Sequence, residues 1–387
     1  MKSYYSLGLM SGTSMDGVDV SIIQSDGETK YRVILDKYFE YPEGIYEKLS
    51  KLRDKVSNSY DNFKKLSKKI KSLEKEITLF YAEAVNKILK DSTVNINLIG
   101  FHGQTIFHSP YWKISKQLAD GKLLSKLTKK TVVYNFREND IKNGGEGAPL
   151  TPIFHKLLAD KMKIALPVVF LNIGGIANIT YIPPEDRRDG EIVARDIGPG
   201  NYLIDQYLKK KSKYKYDKGG KLAKSGKIAE GVSFDFMHWK TEHEKRGESY
   251  NSLDINDPRL KPVFFNDGSG LSLEDGTATI TEYTSKILSH FFSDYLGRRY
   301  ETFAGSGDLK KIILCGGGRK NKFLLNSISE KVYEKLVLID KYGIDGDFVE
   351  SQAFAYLAIR SYLKLPISFP STTGVSKSCS GGVIVNS

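Results

Sequence analysis

The chain has 387 residues, of which 40% are hydrophobic and 27% are charged, a composition typical of globular proteins. This length exceeds what one ordinary hydrophobic core serves, so it predicts two domains. The formal net charge is +12, but the lysines are spread along the chain and no recognisable nucleic-acid-binding module accompanies them. No apolar run is long enough to span a bilayer. We therefore expect neither a nucleic acid nor a membrane as a partner.

The N-terminal residues and the cysteines indicate a compartment. The segment from Met1 to Tyr5 runs directly into a strand-like pattern and lacks the features of a secretory signal. Cys315 and Cys379 are far apart in sequence and are interpreted as reduced thiols. The densest basic stretch, residues 209–227, is interpreted as a solvated surface. These features predict a cytoplasmic protein.

The first third of the chain contains a predicted hairpin and a long helix. Residues 4–23 alternate between apolar and small or polar residues on both sides of a turn at 11–14, which predicts a β-hairpin. From Phe63 to Ala84, apolar residues recur at steps of three and four, a pattern typical of an amphipathic helix. We favour a helix packed on a sheet over a coiled coil, because further strands are predicted at 94–100 and 131–134.

The middle of the chain repeats the opening pattern. An apolar run at 166–171 breaks at a turn, and a second strand continues over 176–182. A third strand is predicted at 191–195, ending at Asp196, and a short helix begins at Tyr202.

The last third alternates helix, strand and helix. A helix is predicted at 280–296, a short buried strand at 312–314 and a final apolar helix at 351–363.

The repeated hairpin predicts an α/β protein with two similar domains. Small ligands usually bind in the cleft between two domains. We place the first domain at 1–130 together with 367–387, and the second at 131–366.

The turn of the first hairpin is a candidate phosphate site. It reads Ser11-Gly12-Thr13-Ser14-Met15-Asp16-Gly17, and its amides and hydroxyls can donate hydrogen bonds to phosphate oxygens. Asp16 suits such a site if Mg²⁺ lies between its carboxylate and the phosphates. The alternative, an ordinary turn in which Asp16 bonds to its own backbone, is equally compatible with the sequence.

Two further glycine-rich segments follow predicted strands. Asp196 precedes Gly198-Pro199-Gly200-Asn201 and a helix start, a place where α/β proteins position reactive groups; a helix N-cap is the alternative. Gly316-Gly317-Gly318 lacks side chains and could accept a flat ring such as adenine, although a flexible turn is the stronger explanation when this segment is taken alone. The spacings of the P-loop and dinucleotide-binding motifs are absent.

The sequence does not decide the roles of two segments in the first half of the chain. His102 lies in His-Gly-Gln-Thr-Ile, and the distance to His108 disfavours a zinc site. A polar substrate contact or a hydrogen-bonded core histidine is expected instead. The loop from Gly144 to Leu150 could contact a ligand or join two domains.

Taken together, the motifs resemble a known family. L-G-L-M-S-G-T-S-M-D-G-V-D, H-G-Q-T-I, F-R-E-N-D-I-K-N-G-G-E-G-A-P-L, N-I-G-G-I-A-N, D-I-G-P-G-N, C-G-G-G and Y-G-I-D-G-D-F-V-E-S-Q-A-F-A occur in this order along the chain. Together they resemble the anhydro-N-acetylmuramic acid kinase family. The resemblance implies two ribonuclease H-like (actin-like ATPase) domains flanking an ATP cleft, and family members tend to be homodimers.

The resemblance also implies an activity. Members of the family open the 1,6-anhydro bridge of anhydro-N-acetylmuramic acid with water and phosphorylate O6, using ATP and Mg²⁺. The product is N-acetylmuramic acid 6-phosphate, formed during recycling of cell-wall peptidoglycan.

The resemblance assigns roles to particular residues. Asp196 matches the catalytic aspartate that activates water, and Asp16 is the residue expected near the metal. The residues expected to bind ATP are Ser11, Gly12, Thr13, Ser14, Met15, Asp16, Gly17, Val18, Gly198, Gly200, Asn201, Gly316, Gly317 and Gly318. The residues expected on the sugar side are His102, Gly103, Gln104, Thr105, Arg137, Asp140 and Glu350.

Some positions depart from the family pattern. Asn135 stands where Asp is common and Glu146 where Gln is usual, while Arg195 and Ile197 flank Asp196 in place of other residues. A cation beside a catalytic carboxylate favours its ionised form if the two are close.

Two other functions remain alternatives. A kinase for another sugar or small acid would be active on ordinary hexoses and inactive on the anhydro sugar. An ATP-dependent switch or nucleic-acid binder would bind nucleic acid with a steep salt dependence.

Overall fold

The computed structural model describes residues 2–56, 60–184, 191–229, 271–292, 309 and 311–387. The chain forms two compact units. Unit 1 comprises Met1–Ala165, Glu191–Arg195 and Asp347–Ser387, and unit 2 comprises Leu166–Gly190 and Asp196–Gly346.

The units divide at other positions than the expected 130 and 366. Residues 131–165 belong to unit 1, because Thr131–Tyr134 forms a strand parallel to the strand at Leu98–Ser109. Residues 347–366 also belong to unit 1, since the helix at Val349–Tyr362 packs on the sheet of that unit. A short strand and an apolar helix do not reveal from sequence which of two sheets they join.

Unit 1 is built on one mixed sheet. Its strands are β1 (Tyr4–Ser11), β2 (Gly17–Ser25), β3 (Tyr31–Glu40), β4 (Leu98–Ser109), β5 (Ile114–Leu118), β6 (Thr131–Tyr134) and β12 (Val383–Val385). The order is β12-β6-β4-β1-β2-β3, with β5 paired to β4. The hairpin predicted at 4–23 is confirmed, since β1 and β2 pair antiparallel with Leu7 opposite Ile22.

Helices cover the sheet of unit 1. They are α1 (Glu43–Val56), α2 (Tyr60–Lys65), α3 (Ser67–Asp91), α4 (Gly121–Thr128), α5 (Glu138–Lys142), α6 (Pro152–Lys161), α11 (Val349–Tyr362) and α12 (Pro370–Thr373). The apolar stripe of α3, which includes Ile70 and Ile77, lies in one core cluster with Leu7 and Val20 of the sheet. The long helix is therefore packed on a sheet, as expected.

Helix α11 is almost entirely buried and lies directly on β1 and β4. A Cβ atom at Gly8 would overlap the carbonyl oxygen of Ser351, and one at Gly100 would overlap that of Phe354. Only glycine lets the helix backbone approach the strands so closely. This contact sets the distance between α11 and the sheet, and with it the position of the first helical turn, which carries Glu350.

Unit 2 repeats the strand order of unit 1. Its sheet has the strands β7 (Val168–Ile173), β8 (Ile176–Ile182), β9 (Val193–Pro199), β10 (Lys311–Cys315) and β11 (Lys335–Leu338), in the order β11-β10-β7-β8-β9. The residues of β9 from Asp196 onward belong to unit 2. In each unit the first strand pairs antiparallel with the second and parallel with the fourth. The chain is thus α/β with two sheets of the same ribonuclease H-like order, which confirms the predicted fold class.

Four helices of unit 2 are described. They are α7 (Tyr202–Lys211), α8 (Lys221–Ser225), α9 (Leu273–Phe291) and α10 (Lys322–Ser329). Helix α7 begins where expected, and Leu203, Ile204, Tyr207 and Leu208 are all buried. Helix α9 begins seven residues before the expected start at 280; the end of that expected helix, 293–296, lies outside the described residues.

Two strands were predicted to start and end too early, and the early ends matter for the site. Strand β4 begins at Leu98 and extends to Ser109, so His102 lies within the strand rather than after it. Strand β9 extends to Pro199, so Asp196 likewise lies within a strand. The first prediction ended at Gly100 and the second at Asp196, but a bulge lets the ladder of β4 continue past Gly103, which has φ +77°.

Among the residues that the structure describes, no helix combines the length and apolar character required to cross a membrane.

Candidate active site

The turn between β1 and β2 is held in place by hydrogen bonds to buried side chains. Ser11 is 2% exposed, and its Oγ lies 2.7 Å from the carbonyl oxygen of Gly17 and 2.7 Å from Oε1 of Gln104. Gln104 Nε2 in turn donates to the carbonyl of Gly12 at 3.0 Å. The Ser11 hydroxyl and the Gln104 amide are thus engaged within the protein, and both residues shape the turn.

The glycines of the turn differ in their surroundings. A Cβ atom at Gly17 would crowd the carbonyl of Phe39 and the ring of Tyr38, whereas one at Gly12 would meet only Ser14 Oγ at 3.7 Å. Met15 adopts φ +59° and buries its side chain. The fold therefore requires glycine at 17, while Gly12 presents open backbone to a ligand.

Asp16 is the exposed carboxylate of this turn. Its Oδ1 accepts a hydrogen bond from Ser14 Oγ at 2.6 Å. Within the described parts of the chain, no group of three His, Cys, Asp or Glu side chains could hold a metal ion. A single exposed carboxylate fits Mg²⁺, which keeps several waters and is commonly held by one or two carboxylates together with substrate phosphates.

The second part of the unit 1 site is a hydrogen-bonded pair. Arg137 precedes α5, and its Nη2 and Nε lie 2.9 and 3.2 Å from Nε2 of His102. His102 Nδ1 lies 2.8 Å from the carbonyl oxygen of Gly103. Because a carbonyl only accepts, Nδ1 carries the proton, and the lone pair of Nε2 accepts from Arg137.

Burial and the Arg137 charge hold His102 neutral. Both lower the pKa of His102 well below its usual range, and the bond to Gly103 opposes them. The ring also lies against Phe354 of α11, with centroids 4.4 Å apart. A histidine fixed in this way orients its neighbour and does not exchange protons at neutral pH.

Glu350 lies in the first turn of α11. Burial raises the pKa of its carboxyl, and the nearby Arg137 charge lowers it. The structure therefore brings His102, Arg137 and Glu350 into one neighbourhood, which sequence spacing alone could not show.

Asp140 and Thr105 occupy other surroundings. The Asp140 carboxylate is 0% exposed and accepts the backbone N–H of Gly147 at 2.6 Å. Thr105 Oγ1 accepts from Gln117 Nε2 at 3.2 Å. Asp140 lies beneath the 144–150 loop, which belongs to unit 1 rather than to a domain crossing.

In unit 2, strand β9, which carries Asp196, ends beside the glycine turn between β7 and β8. Asp196 is half-buried in β9. Beyond it, the N–H of Gly200 donates to the carbonyl of Gly175 at 2.8 Å, and that of Asn201 donates to Gly174 at 2.8 Å. A Cβ atom at Gly200 would overlap the Gly174 carbonyl. The β7–β8 turn thus fixes the strand end that follows Asp196.

The three glycines after β10 are not equivalent. Gly316 adopts φ +78° against Asn172, and a Cβ atom at Gly318 would overlap the Ile173 side chain. Gly317 has nothing within 4 Å of its Cβ position. Only Gly317 therefore offers free space to a ligand such as a flat ring.

Arg319 is a residue of this region that the sequence did not single out. It is 4% exposed, and its guanidinium bonds to Asp340 at 2.8 and 2.9 Å, to Asp345 at 2.9 Å and to the Gly316 carbonyl at 3.2 Å. It braces the glycine turn against the 339–346 segment. An arginine after a glycine turn gives no sequence signal that separates such a brace from a solvated surface residue.

Nearly the whole chain matches one known protein family. Residues 4–387 match the family model described as anhydro-N-acetylmuramic acid kinase. The chain belongs to the anhydro-N-acetylmuramic acid kinase family.

Curated members of the anhydro-N-acetylmuramic acid kinase family match over their full length. The protein of Pelagibacter ubique (strain HTCC1062) is 49% identical, with 99% of each chain covered. Those of Brucella canis and Zymomonas mobilis are 36% and 35% identical, each with 98% of both chains covered. The family resemblance drawn from the motifs is confirmed, and the chain is a member of a family of sugar kinases.

Proposed function

We propose that this protein opens the 1,6-anhydro bridge of anhydro-N-acetylmuramic acid with water and transfers the γ-phosphoryl group of ATP to O6. The products are N-acetylmuramic acid 6-phosphate and ADP, and the reaction serves recycling of peptidoglycan. The observation that carries the proposal is the family match across residues 4–387. The alignment with the Pelagibacter ubique relative covers 99% of each of the two chains.

Asp196 is the proposed general base. It takes a proton from water as the water oxygen attacks C1, the C1–O6 bond breaks, and O6 takes the phosphoryl group as ADP leaves. Water is a weak nucleophile, so a carboxylate within hydrogen-bond reach accelerates its attack. The position of Asp196 in a strand whose end is fixed by the β7–β8 turn supports this role.

The β1–β2 turn is the proposed cradle of the ATP phosphates. Its open backbone at Gly12 and its position at the end of a buried strand support this role. Asp16 would hold Mg²⁺, which supplies neutralisation of the phosphate charge. Gly317 is the proposed contact for the adenosine side, because its Cβ position is open.

The sugar-side role falls to Arg137 and Glu350. Arg137 presents a fixed cation suited to the lactyl carboxylate of the muramic acid. Glu350 presents a carboxylate suited to sugar hydroxyls or the amide. Their shared neighbourhood in unit 1 supports this assignment.

The compartment and the assembly are also proposals. We place the protein in the cytoplasm because its reaction needs a supply of ATP, and the family resemblance favours a homodimer. Light scattering of the purified protein measures its oligomeric state directly.

The test is mass spectrometry of the products formed from the purified protein, Mg-ATP and anhydro-N-acetylmuramic acid in ¹⁸O-labelled water. We expect a phosphorylated muramic acid with one label at C1. Asp196→Asn should lower turnover by about 10³-fold or more, while ATP affinity stays within about twofold. ADP release without a phosphorylated sugar would refute the substrate, and loss of ATP binding in Asp196→Asn would refute the role of the base.

A further inference from the structure

One glycine of unit 1 is held by both of its backbone groups from the same helix. Asp140 Oδ1 accepts the N–H of Gly147 at 2.6 Å, and Arg137 Nη1 donates to the carbonyl of Gly147 at 2.7 Å. Arg137 immediately precedes α5, and Asp140 lies within it. Gly147 adopts φ +76°, where glycine is favoured.

The contacts form a continuous chain to the sugar-side residues. Asp140 fixes Gly147, Gly147 fixes one nitrogen of Arg137, and the other nitrogens of Arg137 bond to His102 Nε2. His102 is anchored in turn on the Gly103 carbonyl. The guanidinium plane is therefore defined at both edges, because an arginine fork has fixed geometry.

Asp140 itself is enclosed by protein. Its carboxylate is 0% exposed, and Oδ2 has no hydrogen-bond partner in the described structure. A Cβ atom at Gly145 would overlap Oδ1, so the loop backbone covers the carboxylate. One oxygen of Asp140 does all of its bonding, and that bond is to the loop.

We infer that Asp140 is a positioning residue for sugar binding, which acts through Gly147 to fix the guanidinium of Arg137. This inference rests on the proposed function, and it replaces the sequence expectation that Asp140 contacts the sugar. The required feature of Asp140 is a single acceptor oxygen, since only Oδ1 is used. Asparagine keeps that oxygen, and alanine removes it.

The test compares Asp140→Asn with Asp140→Ala in the full-length protein. We expect Asp140→Ala to lower kcat/KM for the anhydro sugar by roughly 30-fold, because a slightly misplaced binding group costs on the order of 10²-fold. The KM for ATP should change by less than about twofold. Asp140→Asn should rescue most of the loss. A folded Asp140→Asn variant that loses tenfold or more would overturn the inference, since the charge itself would then be needed.

A double-mutant cycle tests the route through Arg137. In an Arg137→Lys background, which loses the fork to Gly147 and His102, Asp140→Asn and Asp140→Ala should differ by less than about threefold in kcat/KM. Fully additive effects would show that Asp140 acts by another route.

A second readout does not depend on activity. ¹⁵N spectra of histidine-labelled protein, with His102→Asn for assignment, should show the Nδ1–H tautomer of His102 in the wild type and in Asp140→Asn. Asp140→Ala should keep this tautomer, which the Gly103 carbonyl sets, but shift the Nε2 resonance of His102 because the hydrogen bond from Arg137 is disturbed; an unchanged Nε2 resonance there would contradict the inference. If the wild type does not phosphorylate the sugar, the proposed function fails, while these spectra still decide whether Asp140 fixes Arg137.

Discussion

At the scale of single residues, Gly12 and Gly17 lie near the two ends of one turn and differ in what surrounds them. Gly17 is enclosed by the Phe39 carbonyl and the Tyr38 ring, whereas the Cβ direction of Gly12 is open. The same residue type therefore serves the fold at one position and leaves room for a ligand at the other.

This contrast yields a matched pair of variants. Gly12→Val should leave the melting temperature without nucleotide within about 2 °C of the wild type, since surface changes are usually within ±0.5 kcal/mol. It should raise the KM for ATP about tenfold or more, because side-chain bulk would crowd the phosphates. Gly17→Val should instead lower the melting temperature itself, because the turn must shift.

Thermal unfolding with and without Mg-ATP measures both variants. The stabilisation by Mg-ATP should be reduced in Gly12→Val, since a bound ligand stabilises according to its affinity. An unchanged affinity for ATP in that variant would place the phosphates elsewhere.

At the scale of elements, helix α11 depends on two glycines in strands that it covers. Gly8 and Gly100 leave no room for a Cβ atom beneath the helix backbone. The helix carries Glu350 in its first turn, and Ser351 Oγ lies 2.6 Å from Ser21 Oγ of β2. Packing of one helix thus fixes both the core and a candidate substrate group.

Gly100→Ala should destabilise the protein by about 3 kcal/mol, because overpacking a rigid backbone contact forces the helix to move. Denaturant unfolding measures the change. The matched control is Gly44→Ala in α1, where nothing lies within 4 Å of the Cβ position; it should be neutral or stabilising by about 0.5–1 kcal/mol. Equal effects of the two substitutions would refute the close approach of α11.

At the scale of the whole molecule, unit 1 holds three histidines in the neutral form, of which His102 and His155 are buried and His108 is partly buried. Burial lowers the pKa of His108 and His155 to about 3, with the Arg137 charge adding to the effect at His108. Burial and Arg137 likewise lower the pKa of His102. Each group binds a proton in the unfolded chain below its ordinary pKa of about 6.5 but not in the folded protein.

Stability should therefore be full above pH 6.5 and fall as the pH drops from 6.5 towards 3. Each histidine contributes up to about 1.4 kcal/mol per pH unit in this window. Glu350, whose pKa is raised, acts in the opposite direction. We expect unfolding near pH 5.5 to take up about two to three protons.

Denaturant unfolding between pH 5 and 7 measures this dependence. His155→Gln should reduce the proton uptake by about one, whatever its effect on the free energy of unfolding at pH 7. A free energy of unfolding that does not change with pH over this range would contradict the buried neutral state.

The sequence by itself determined the family, the strand–turn–strand pattern and the identity of the glycine-rich turns. Period-two alternation around Ser11 and Gly174 is a local property, so both hairpins could be predicted, as could the helix starting at Tyr202. The motif order along the chain carries the family. These features depend on neighbouring residues only and survive without knowledge of the fold.

The tertiary structure decided which residues meet and what each glycine is for. Contacts with residues elsewhere in the chain enclose Gly17 and Gly318, whereas the Cβ positions of Gly12 and Gly317 are open. Long-range pairing extended β4 past Gly103 and drew 131–165 into unit 1. Hydrogen bonds through Gly147 and Arg137 link Asp140 to His102. The role of Arg319 follows only from its contacts with Asp340 and Asp345. Burial and hydrogen bonding between distant residues set these roles, and a local pattern does not encode them.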